Sequence, residues 1–145
     1  MDSKGTGLTL GLGLLVAFIG YILWQLAVGF NTKADDIVTI LSNSASGATI
    51  LKISAILISV GLVAHLGGLI STRGTASGTL ESLGIVSVAG ATVIWVANSG
   101  LGISLVEMGE KFVAASAGAQ AAGAAGDAVT AAALGATATT IATAG

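Results

Sequence analysis

GTGLTLGLGLLVAFIGYILWQLAVGFNT, residues 5–32, is a run of 28 residues without a formal charge. About twenty apolar residues at ~1.5 Å rise per residue cross the ~30 Å hydrocarbon core of a bilayer. The run therefore reads as a transmembrane helix over residues 6–30. It is longer than the short apolar core of a signal peptide, and only Lys4 precedes it as a basic residue, so it reads as a retained helix. Tyr21, Trp24 and Phe30 cluster towards its C-terminal end, where aromatic side chains commonly meet the membrane–water boundary.

Two more runs of the same kind follow. Residues 48–70 read as a second helix, with Lys52 near its start able to extend its ammonium to the interface. Residues 82–106 read as a third, 25 residues with no charge, ended by Glu107, Glu110 and Lys111. Residues 71–77 are polar and few, which makes the second and third helices antiparallel neighbours. Between the first and second helices lies a loop with Lys33, Asp35 and Asp36. Its apolar residues 37–41 suit one interfacial turn of helix, with Asp35 or Asp36 near the N-terminus. Residues 42–47, rich in Ser, Asn and Gly, are expected to break the chain.

The last segment, residues 112–143, is Ala, Gly and Thr with few large side chains. Ala favours helix but only weakly favours lipid. The expectation is a fourth, Ala/Gly-rich helix embedded beside the other three and held by small-residue contacts. The alternatives are a soluble or interfacial Ala-rich helix, or a disordered tail. The fold class is thus an all-α integral membrane protein, one small helical bundle over residues 1–145.

Composition agrees. Hydrophobic residues make up 54% and charged residues 8%, against about 25% charged in soluble domains. Five basic and seven acidic residues give a net charge of −2, which lacks the clustered Lys/Arg of a nucleic-acid footprint. The chain has no Cys, so disulfides, thiolate chemistry and Cys-ligated metals are excluded. It has no Pro, which suits unbroken helices, and 22 Gly.

Many of those glycines fall at heptad spacing. Thr6, Gly13, Gly20 and Ala27 form one stripe, and Gly47, Ser54, Gly61 and Gly68 another. In the third helix, Gly84, Ala91 and Asn98 form a stripe, and Gly90, Ala97 and Ser104 a second. In the last segment Gly118, Ala122 and Gly126 are four apart. A period of seven keeps one face towards a partner helix in a left-handed crossing, and small side chains let backbones approach. Gly13, Gly20, Gly61, Gly68, Gly90 and Ala97 are the packing candidates, against the same chain or another.

An ionisable group inside an apolar run is a functional candidate. His65, the only His, lies mid-way along the second helix. A proton relay, a gate or a metal or haem ligand are the chemical readings, but no nearby Cys or carboxylate in sequence completes a metal set. The structural reading is a neutral, hydrogen-bonded packing residue. Asp127 stands in the Ala/Gly segment, where a carboxylate on a small-residue helix is the pattern of proton-carrying rotors. The structural reading is a cap on a final helix, or a turn after Gly126. Gln25 and Asn98 are expected to hydrogen-bond across helices. Trp95, too deep for an interfacial anchor, is expected to fill space against a neighbour's glycine or to touch a bound lipid or ligand.

No catalytic set emerges. The GTG and GLG tripeptides lie inside an apolar helix rather than a dinucleotide loop. The hydroxyls have no base beside them in sequence, and Glu81, Glu107 and Glu110 stand at helix ends. With four spans both termini share one side, carrying Lys4 and Arg73 against Lys33, Lys52 and Lys111, so the positive-inside rule places the termini outside by a narrow margin. The expected function is a non-enzymatic membrane subunit, a structural or accessory component of a multi-subunit complex. Its partners are membrane lipid and other membrane chains or copies of itself, with no cofactor beyond bound lipid. One alternative is a self-associating, holin-like pore or proton channel. Another is the subunit of a lipid-containing filament or virion.

Overall fold

In the computed structural model, residues 3–73 and 78–144 are described. They form five α-helices and no strand: α1 (Ser3–Val28), α2 (Ile37–Ser46), α3 (Ala48–Ser71), α4 (Thr79–Ala124) and α5 (Ala128–Ala144). Three of them, α1, α3 and α4, are long and apolar enough to cross a membrane, while α2 and α5 are shorter apolar helices. Of the polar connection expected over residues 71–77, residues 74–77 lie outside the described residues.

The contacts group into two compact units. The first holds Met1–Trp24 and Lys52–Leu101. In it α1 and α3 run antiparallel, because Leu10 meets Gly68, Gly13 meets His65 and Gly61, and Gly20 meets Ile58. Apart from Ile58, which is also buried, the side chains at the crossing are small: Gly13, Ala17, Gly20, Ser54, Ala55, Gly61 and Gly68 are all buried. The large ones point away, with Leu8, Phe18, Ile56 and Val60 each 57–62% exposed. Water-soluble cores are built the other way round, large apolar groups inside. Small residues inside and large ones outside are what packing in lipid favours, because burying Leu away from lipid gains little.

The second unit holds Gln25–Leu51 and Gly102–Gly145. Here α2 is capped by Asp36, whose carboxylate accepts a hydrogen bond from the Thr39 amide at 3.1 Å. That satisfies one of the free donors of the first turn. Of the stretch 42–47 expected to break the chain, residues 42–46 continue α2, and the break falls on its last residue, Gly47, which caps the helix. Tertiary contacts override the local preference. The Asn43 amide donates to the Val28 carbonyl at the end of α1 (2.8 Å), and Leu41 and Ser44 are fully buried. α2 also packs against α5.

The largest departure from expectation is α4. A helix over residues 82–106 and a separate one over 112–143 were expected; instead α4 continues through Glu107, Glu110 and Lys111 to Ala124. These residues favour helix, and Glu107 and Lys111 stand at the supportive i, i+4 spacing. All three side chains are exposed on the helix surface. The helix stops instead at Gly126. The Asp127 amide donates to the Ala122 carbonyl (2.9 Å) and the Gly126 amide to the Gly123 carbonyl (3.1 Å), with Gly126 at φ +78°. This is a Schellman ending, whose left-handed position suits Gly because a Cβ there is strained. After it α5 folds back, so that Leu134 lies over Gly118 and Ala131 beside Gly123.

Candidate functional site

His65 is part of the α1–α3 crossing. Its Nδ1 lies 3.0 Å from the Leu10 carbonyl oxygen. A neutral ring with its proton on Nδ1 donates that bond. Gly13 provides the room: a Cβ there would fall 2.5 Å from the His65 amide nitrogen and 2.8 Å from the Gly61 carbonyl oxygen. The ring is half-buried. Among the described residues no group of three or more His, Asp or Glu stands together as a metal set. What the arrangement does is tie α3 to an α1 carbonyl within their crossing.

Asp127 is placed as a cap. Its carboxylate accepts from the Thr130 amide at 3.0 Å and is exposed at the start of α5. Thr130, through its hydroxyl first and its amide second, holds the Asp127 carboxyl below the ordinary carboxylate range. A depressed folded-state pKa means the cap stabilises fully above the unfolded value of about 3.9 and loses its contribution as pH falls through the folded value. At neutral pH the group is ionised. Asn caps a helix about as well as Asp, and Ala does not. Asp127→Asn is therefore expected to leave α5 intact and Asp127→Ala to fray it, read by amide exchange over Ala128–Ala144 at pH 7. Equal exchange in both variants would remove the capping role.

The packing candidates divide. Gly13, Gly20, Gly61 and Gly68 meet at the α1–α3 crossing, whereas Gly90 has no atom within 4 Å of where its Cβ would stand and Ala97 is exposed. Asn98, expected to bond across helices, is exposed and makes no side-chain hydrogen bond to a described residue. Trp95 meets an aromatic residue rather than a glycine. Its ring stands edge-on to Tyr21, centroids 6.2 Å apart at 85°, and Tyr21 stacks on Trp24 at 6.4 Å. Edge-to-face pairs of this kind add about 0.5–1.5 kcal/mol beyond the area they bury. With Ala17, Phe18, Ile58 and Leu62 the pair lines an open apolar groove of about 320 Å³.

Two features of the second unit escape sequence reading. Gly109, between Glu107 and Glu110, lies against the Leu41 carbonyl, so α2 and α4 touch backbone to backbone. Ser44 is fully buried beside this contact on α2, and its hydroxyl has no hydrogen-bond partner among the described residues. Gly109 belongs to none of the heptad stripes, and the charges around it mask its role. No protein-family model, curated protein or solved structure matches the chain.

Proposed function

We propose that the protein is a multi-pass membrane subunit without catalytic chemistry, a structural or accessory component of a multi-subunit assembly. The observation that carries this reading is α4. Only 6% of its apolar window is buried within the chain, and Leu83, Val86, Val93 and Ile94 are 60–69% exposed. A contiguous face of this kind is unfavourable in water and calls for lipid or other chains. At ~1.5 Å per residue the 46 residues of α4 extend roughly 69 Å, more than twice a ~30 Å hydrocarbon core. The uncharged residues 82–106 would occupy the bilayer, with Glu107, Glu110 and Lys111 beyond it. The chain then has three spans.

Purification under mild detergent tests the assembly. Co-purification with larger membrane chains in fixed ratio is the expected result. Recovery as a homo-oligomer that passes ions in liposomes supports a pore instead, and helical filaments support a coat or filament subunit. Release from membranes by alkaline carbonate, as for a peripheral protein, would sink the membrane reading altogether.

A further inference from the structure

We infer that α4 pairs with α4 of a second copy of this chain through Asn98. The residue stands four positions beyond residue 94, the midpoint of the uncharged residues 82–106, or about 6 Å along the helix at ~1.5 Å per residue. Its amide is exposed and makes no hydrogen bond to a described residue. The side chains on the same face are apolar: Ala91, Ile94 and Leu101 are exposed, the last two by 69% and 66%. An amide surrounded by hydrocarbon is costly unless another polar group satisfies it. Lipid ester oxygens lie at the membrane surface, not at this depth, so the partner is a protein side chain.

The second copy meets two requirements together. One amide carries both a donor and an acceptor, so two of them satisfy each other reciprocally. Copies inserted in one orientation place Asn98 at the same depth, and a two-fold axis along the membrane normal brings identical residues face to face. Ala91, seven residues earlier, lies on the same face and is small enough to let the helices close.

This pairing rests on the membrane placement proposed above, and the experiment separates the two. The chain has no Cys, so a single introduced thiol reports unambiguously. Full-length Ala91→Cys in liposomes is expected to form a disulfide-linked dimer under mild oxidation. Val93→Cys, at a position about 140° round the helix from Asn98, is expected not to. Adding Asn98→Val to Ala91→Cys should lower dimer yield at limiting protein-to-lipid ratio by about three- to twentyfold, the range of measured interhelical hydrogen bonds in membranes. Equal yields at positions 91 and 93, or no change on Asn98→Val, overturn the pairing, as does cross-linking to a different chain. In a Trp24→Phe background Trp95 is the sole tryptophan, and brominated lipid should quench it. Quenching without the Asn98-dependent dimer overturns this contact alone; no quenching overturns the membrane placement and the contact with it.

Discussion

Gly61→Leu is expected to separate α1 from α3, while Gly67→Leu, six residues further along the same helix, is expected to change almost nothing. At Gly61 a Cβ would meet the Ala17 amide nitrogen, with the Gly13 carbonyl oxygen at 2.6 Å and Ala17 Cα at 2.9 Å. All three are backbone atoms, so no rotamer change relieves the clash and the helices must move apart. Overpacking a tight contact costs about 1–3 kcal/mol for added methylenes, and more when the displaced groups are backbone. The separation also strains the His65–Leu10 hydrogen bond, four residues along α3 from Gly61. At Gly67 nothing lies within 4 Å of the Cβ position, so the change stays within about 0.5 kcal/mol, apart from a gain in helix propensity of up to about 1 kcal/mol. Unfolding midpoints in mild detergent, titrated with a denaturing detergent, measure both. Identical midpoints for the two variants would show that the crossing does not hold the first unit together.

The second large effect lies in the second unit. Gly109→Leu is expected to lift α2 off α4. A Cβ at Gly109 meets the Leu41 carbonyl oxygen directly, with the Ala45 amide nitrogen at 3.1 Å and the Leu41 carbonyl carbon at 3.3 Å. Lifting α2 exposes Leu41, which is fully buried. Losing a buried leucine's contacts costs on the order of 2–5 kcal/mol. Ser44→Ala provides the contrast at the same contact. It removes a buried hydroxyl that has no partner among the described residues, and leaving such a group unsatisfied costs about 1–3 kcal/mol. Its removal is therefore expected to be neutral or stabilising. Amide exchange over Ile37–Ser46 reads both, with protection lost in Gly109→Leu and kept or raised in Ser44→Ala. Loss of protection in Ser44→Ala would mean its hydroxyl is satisfied and helps hold α2.

Much of the architecture was legible because apolar length is a strong signal. The runs at residues 6–30 and 48–70 nearly coincide with α1 and α3, and residues 82–106 fall inside α4. A cap was legible at Asp35 or Asp36 before α2, and at Asp127 as a cap or a turn, since a carboxylate before an apolar or Ala-rich run has a specific use for the free amides of the first turn; the structure selects Asp36 and the cap at Asp127. The end of α4 was misread. Charge at Glu107, Glu110 and Lys111 reads as a helix end, but Glu and Lys favour helix and do not end one. The true stop, Gly126, enters the sequence reading only as a possible turn before Asp127.

By itself the sequence determined that the chain is helical, that three helices are long and apolar enough to span a bilayer, and that small residues would line helix contacts. Those properties follow from side-chain chemistry and spacing within single segments. Tertiary structure decided which stripes are used within the chain. Gly13, Gly20, Gly61 and Gly68 interlock, while Gly90 and Ala97 on α4 remain uncovered. It also turned residues 42–46 into helix, because the Asn43 bond to Val28 and the burial of Leu41 outweigh local turn preference. Periodicity states that a face is small or polar; only the three-dimensional arrangement states what that face meets.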